Sequence, residues 1–142
     1  MISLTRSAAR YVSKLSNKLR RKINTLSSKK EFSGSEGRTL QFLLAQTEDV
    51  FQKDIEEEYS IRPSTATELL KQMERKGLIV REPVSYDNRL KRIVLTEKSL
   101  QYRKQVVEDL TALEESLVKG ISEEDLEVFF QVIEKMMDNL SE

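Results

Sequence analysis

Apolar positions near the start of the chain recur every three or four residues, at Ala8, Tyr11, Leu15, Leu19, Ile23 and Leu26. That spacing places them on one side of a helix and predicts an amphipathic helix over residues 4–27. Ser27 to Ser35, with Gly34, reads as a loop. Ser35 is placed to cap a second helix carrying Leu40, Phe42, Leu43 and Leu44. After a break at Thr47–Phe51, Gln52–Tyr59 reads as a short helix with Ile55 and Tyr59 four apart, and Ser60–Arg62 as a tight turn. Pro63 suits the first position of the next helix, where its missing N–H costs little. Thr65 and Glu68 offer a competing start as a capping box. In that helix Ala66, Leu69, Leu70 and Met73 make one apolar stripe, and Gly77 ends it after Arg75 and Lys76, two cations suited to a helix C-terminus.

The period then changes from about 3.6 to 2. Leu78, Ile79 and Val80 open a strand, and Ile93, Val94 and Leu95 close a second. The polar segment Pro83–Lys91 between them, with Asp87 and Asn88 as turn formers, predicts a β-hairpin with a long basic tip. Thr96 caps a long helix to about Lys119, with Leu100, Val106, Leu110, Leu113 and Leu117 near heptad spacing. Gly120 breaks it. Ser122 with Asp125 matches a capping box for a last helix carrying Leu126, Phe129, Phe130, Ile133, Met137 and Leu140. The fold class is therefore mainly α with a small β-hairpin.

Composition sharpens this reading mostly by exclusion. The 142 residues contain no Cys and no His. Disulfides, thiol chemistry, His bases and zinc sites built on thiolate or imidazole are excluded within the chain, and no metal site is expected. No apolar run approaches the roughly 20 residues of a membrane span, and no secretory signal is visible at the start. A cytoplasmic location is expected. At 38% hydrophobic and 34% charged, the chain can bury a core while leaving apolar surface for a partner subunit.

The formal net charge is zero, but the charges are segregated. Residues 1–30 carry Arg6, Arg10, Lys14, Lys18, Arg20, Arg21, Lys22, Lys29 and Lys30 with no acid. Residues 107–142 carry only Lys119 and Lys135 as bases, against eleven acids. From Arg62 to Lys104, bases outnumber acids by 11 to 5. A basic, acid-free start also resembles an organelle transit peptide, although the three- and four-residue apolar spacing is that of an ordinary packed helix.

A short helix, a tight turn and a second helix are the unit that places a recognition helix in the major groove. Behind it lie Ala66, Leu69, Leu70 and Met73. In front the helix offers Arg62, Pro63, Ser64, Thr65, Thr67, Glu68, Lys71, Gln72 and Arg75. Small hydroxyls at a helix start let backbone N–H groups approach phosphates. Gln72 suits adenine and Glu68 suits cytosine, both generic pairings. Taken alone, such a face reads first as an ordinary solvated helix face. The hairpin that follows adds Tyr86, Asp87, Asn88, Arg89, Lys91 and Arg92, and an Arg at its tip suits the negative potential of a minor groove.

The segments Arg62-Pro-Ser-Thr-Ala-Thr-Glu-Leu-Leu, Met73-Glu-Arg-Lys-Gly-Leu-Ile, Asp87-Asn-Arg and Val94-Leu-Thr-Glu-Lys resemble the MarR family of bacterial transcription regulators. The resemblance covers nearly the whole chain in element order. It implies a winged helix-turn-helix DNA-binding domain over residues 35–96, and a helical dimerisation region from residues 1–34 and 97–142. It further implies a homodimer on a pseudo-palindromic operator, Arg89 in the minor groove and Asp87 holding Arg89 or shaping the wing. Ser60 departs from the Gly that many members carry.

The resemblance also implies control by a ligand, a small organic effector of unknown identity, with no other cofactor. Arg10, Tyr11, Phe42 and Tyr102 are the candidate pocket, although Tyr11 and Phe42 are equally suited to the core. Candidate dimer residues are Tyr11, Leu15, Leu126, Phe129, Phe130, Ile133 and Met137. The basic first helix is expected to meet the acidic last helix of the same or the second chain. Two other classes compete with this reading: a winged-helix protein-interaction module without DNA binding, and an enzyme using Glu56, Glu57 and Glu58. Consecutive helical residues point in different directions, which argues against the enzyme.

Overall fold

A computed structural model describes residues 6–27 and 32–141. In chain order it has α1 (Ala8–Ser27), α2 (Gly34–Ala45), α3 (Gln52–Tyr59), α4 (Pro63–Arg75), β1 (Ile79–Val84), β2 (Asp87–Leu95), α5 (Glu97–Gln101), α6 (Arg103–Leu117) and α7 (Glu123–Leu140). Two compact units divide within α6, one up to Asp109 and one from Leu110.

In the first unit the core gathers where α2, α3 and α4 converge on the hairpin. Leu40, Ile55, Ala66, Leu70, Met73, Leu78 and Ile79 are fully or almost fully buried. The apolar stripe of α4 supplies three of them, while Leu69 stays half-buried. The α1–α2 contact depends on Gly34, where a Cβ would lie 2.4 Å from Ile23 Cγ2. β1 and β2 pair antiparallel from Ile79↔Leu95 to Val84↔Asp87, with an irregularity between Pro83 and Val84. The Ile93 N–H donates to the Val50 carbonyl at 2.7 Å, so the α2–α3 connection lies along the outer edge of β2.

Several boundaries differ from the expectation. α1 begins at Ala8, and the expected residues 4 and 5 fall outside the described ones. The cap of α2 is Ser33 instead of Ser35. Ser33 has Glu36 three residues on, and the two exchange side chain-to-backbone hydrogen bonds of 3.2 and 2.7 Å. From Ser35 the third residue is Arg38, which has no acceptor to offer. Arg62 caps α4 with Pro63 first, so the Thr65–Glu68 start is not used. The hairpin is longer and its loop shorter than expected: the turn is Ser85–Tyr86, and Asp87 and Asn88 lie in β2. Buried Val84 carries β1 into the segment read as loop, and Pro83 is tolerated in a two-stranded sheet because it lacks a central position. The helix capped by Thr96 is interrupted at Tyr102, giving α5 and α6.

In the second unit Gly120, at φ +82°, takes the left-handed conformation that ends the α6 segment. The Ser122 hydroxyl then accepts from the Asp125 N–H at 3.1 Å to start α7. No residue of α7 is buried. Among the described residues no helix is long and apolar enough to cross a membrane.

Candidate nucleic-acid interface

The helix-turn-helix is α3, the turn at Ser60–Arg62, and α4. Ser60 closes α3 at φ 52°, ψ 47°, the left-handed region a glycine adopts without strain. The Ile61 N–H donates back to the Glu56 carbonyl at 3.1 Å. Gln52 then fastens the start of α4: its amide donates to the Pro63 carbonyl at 3.2 Å and to Thr67 Oγ1 at 2.9 Å. Thr67 in turn donates to the Pro63 carbonyl at 2.8 Å. Of the nine recognition-helix candidates, Thr67 is therefore turned into the α3–α4 junction. Arg62, Pro63, Ser64, Thr65, Glu68, Lys71, Gln72 and Arg75 are all exposed. Glu68 and Arg75 pair at 3.3 Å, two turns apart on that face. The rest of the face carries the exposed hydroxyls of Ser64 and Thr65 at its start and the cations Arg62 and Lys71.

Tyr59 closes the back of α3. Its hydroxyl donates to the Arg38 carbonyl at 2.8 Å, and its ring meets Phe42 edge-on with centroids 6.3 Å apart. Burial raises the Tyr59 pKa above its usual value against the opposing pull of Thr39 and Arg38.

The wing is fastened to the recognition helix. Arg81 of β1 donates through Nε and Nη2 to Glu74 Oε1 of α4 at 3.1 and 2.7 Å. Arg92 of β2 reaches Glu82 across the hairpin at 3.0 Å and Asp49 at 3.6 Å. The hydrogen bond that Arg92 donates to Glu82, followed by the charge of Asp49, holds that guanidinium more firmly protonated. Arg92, expected to face DNA, is thus engaged within the wing. At the tip, Asp87 Oδ1 accepts from the Arg89 N–H at 2.9 Å and lies 3.4 Å from Arg89 Nε. The Arg89 side chain is 92% exposed. Tyr86, Asn88 and Lys91 are exposed around it.

The candidate pocket residues are dispersed. Phe42 faces Tyr59, whereas Tyr102 meets Phe32 with centroids 5.1 Å apart. Arg10 and Tyr11 lie exposed on α1. A cavity of about 380 Å³ beside Phe42 is lined otherwise by Gln46, Glu48, Asp49, Val50, Asp54, Glu57 and Glu58, an acidic set without the other three candidates. Among the described residues no group of three or more acidic side chains could hold a metal ion. Of the dimer candidates, Tyr11 and Leu15 are exposed on α1. On α7, Phe129, Phe130 and Met137 are exposed, and Leu126 and Ile133 are half-buried.

Four connections were not anticipated from the sequence: Gln52 to Thr67, Glu74 to Arg81, Asp49 to Arg92, and Glu36 to Lys76. Only Glu36 carried a local signal, as the last residue of Ser33-x-x-Glu36. The others join residues whose approach depends on the finished fold.

With this geometry in place, the likeness to known proteins is informative. Residues 31–90, from the α2 approach through the wing, match the family model described as MarR family. The transcription regulator MarR from Oenococcus oeni PSU-1 is 25% identical, with a TM-score of 0.83 over 92% of this chain and 98% of that one. MepR of S. aureus, solved as a DNA complex, is 26% identical, with a TM-score of 0.88 over 98% of this chain and 100% of that one. MepR in its DNA-binding conformation gives a TM-score of 0.86 at 26% identity over 96% of this chain and 100% of that one.

Proposed function

We propose that the chain is a winged helix-turn-helix regulator of the MarR family, whose model residues 31–90 match, and that it represses transcription by binding a pseudo-palindromic DNA operator as a homodimer. The single observation that carries this reading is the continuity of two exposed surfaces. α4 offers Ser64, Thr65, Lys71, Gln72 and Arg75, and the Glu74–Arg81 link fixes beside it a wing that ends in Arg89. A helix face with hydroxyls at its N-terminus suits phosphate and base edges of a major groove. An Arg on a narrow wing suits the adjacent minor groove, where the potential is most negative. The similar MepR, solved as a DNA complex, supports the same use of this fold.

The homodimer reading is supported by apolar side chains that α1 and α7 each leave exposed. Tyr11 and Leu15 on one, and Phe129, Phe130 and Met137 on the other, are apolar side chains facing outward. Clusters of this kind usually mark an interaction surface. The basic α1 and acidic α7 would set the orientation of association, since exposed ion pairs contribute only about 0–1 kcal/mol each. A small organic effector that weakens DNA binding completes the reading, with action in the cytoplasm where the DNA lies. This reading includes no catalytic step.

Footprinting on DNA fragments recovered by the purified protein tests it. The expected pattern is two-fold symmetric, with half-site centres about 10 bp apart or a multiple of that. A single asymmetric footprint from a monomer would overturn the homodimer.

A further inference from the structure

The C-terminal end of α4 is held from two sides. Lys76, its C-cap residue, donates from Nζ to Glu36 Oε1 in the first turn of α2 at 2.7 Å. From the other side, Lys98 Nζ donates to the Lys76 carbonyl at 2.8 Å and the Thr96 hydroxyl to the Gly77 carbonyl at 2.6 Å. The Ser99 hydroxyl donates to the Leu78 carbonyl.

The Glu36 contact is unusual in its electrostatics. The Glu36 side chain is 0% exposed and the Lys76 side chain 41%. Oε1 accepts from both Lys76 and the Ser33 N–H, while the buried Oε2 has no hydrogen-bond partner. Removing a carboxylate from water carries a large desolvation cost, and a well-packed apolar side chain of similar size commonly serves stability as well or better. What a charged pair supplies here is a fixed distance and direction between two elements. The first turn of α2 is itself pressed on α1, because Gly34 admits Ile23 where a Cβ would collide. Ile23, Gly34, Glu36 and Lys76 thus connect α1, α2 and α4 in series.

We propose that the Glu36–Lys76 pair is a positioning strut that holds the recognition helix in its DNA-reading orientation and couples that orientation to the packing of α1 on α2. The proposal rests on the DNA-binding reading above. Lys76 acts through Glu36 and not as a phosphate contact, because its ammonium is already committed to a buried carboxylate.

The test compares two duplexes: one selected from a random pool by the purified wild-type protein, and a scrambled duplex of the same composition. Lys76→Met is expected to weaken binding to the selected duplex by about tenfold, a typical size for a change along a coupling network. Binding to the scrambled duplex and the salt dependence should stay as in wild type. Lys76→Arg should restore most of the preference. The double variant Glu36→Gln/Lys76→Met leaves no uncompensated buried charge. It should regain the melting temperature lost by Lys76→Met while its DNA preference stays low.

Three results would overturn the strut. One is unchanged preference in Lys76→Met. Another is equal loss on both duplexes with a salt slope shallower by about 0.9, the mark of a phosphate contact. The third is recovery of DNA preference together with stability in the double variant, which would make the pair purely structural. A wild-type protein that selects no duplex would instead defeat the DNA-binding reading itself, and is separable because it involves no variant.

Discussion

The recognition helix α4 and the last helix α7 are both amphipathic, yet one has its apolar stripe covered and the other does not. α4 buries Ala66, Leu70 and Met73 completely. α7 is longer and more apolar, and none of its residues is fully buried: Leu126 and Ile133 are half-buried, and Phe129 and Phe130 remain 44% and 45% exposed. The difference separates two jobs. A helix that must present a polar face to DNA needs its back fixed to the rest of its own unit. A helix that joins two chains, the role we propose for α7, would keep its apolar residues outward until the second chain arrives.

The largest expected effect follows from this contrast. Leu70→Ala should lower the unfolding free energy by about 2–5 kcal/mol, the range for a leucine truncated in a closed core. Phe130→Ala, measured by urea unfolding at concentrations low enough to keep the protein monomeric, should cost less than about 1 kcal/mol, as surface changes do. Equal costs would erase the distinction between the two helices.

A second effect appears only on association. Replacing Phe129 and Phe130 together by Ser should weaken dimerisation by at least about 2 kcal/mol, the scale of an interface hot spot. Analytical ultracentrifugation checks this, and an unchanged dimerisation constant would move the interface away from α7.

The same contrast bears on how far the chain could be read before its structure was known. Elements governed by local spacing were legible. The α4 stripe, Pro63 at its start and Gly77 at its end were all visible because each acts within a few residues. So was the hairpin of the wing; the Asp87–Arg89 contact at its tip was implied only by the family resemblance, as one of two roles for Asp87. Boundaries that depend on competition between neighbours were misplaced by two or more residues. Ser33 displaced Ser35 as a cap because only Ser33 is followed by a usable carboxylate. The wing turn falls at Ser85–Tyr86, and β1 runs on to the buried Val84.

The polar connections were the least legible. Thr67 and Arg92 look like DNA contacts in sequence, since both are polar and lie in the right segments. The fold turns Thr67 to Gln52 and Arg92 to Glu82 and Asp49. Sequence separation hid these partners, just as it hid the buried Glu36–Lys76 pair forty residues apart. The other candidates on α4, and Tyr86, Asn88, Arg89 and Lys91 on the wing, are exposed.

A smaller effect would sharpen the account of the helix-turn-helix. Ser60 holds a left-handed conformation that costs a side chain-bearing residue about 1–2 kcal/mol. Ser60→Gly should recover roughly 1 kcal/mol of this, less what glycine gains in the unfolded chain. A melting temperature that falls would show that the serine side chain stabilises the turn by more than its backbone strain.

The central claim is that α4 and the wing together read duplex DNA. Equilibrium binding of the wild-type protein and Arg89→Ala to a selected duplex and a scrambled one, over a series of salt concentrations, tests it most directly. The wild type should prefer the selected duplex and weaken steeply with salt as phosphate contacts release counterions. Arg89→Ala should lose about 1–3 kcal/mol on the selected duplex with its melting temperature unchanged. A protein that binds both duplexes equally, or whose binding ignores both salt and Arg89, would contradict the account.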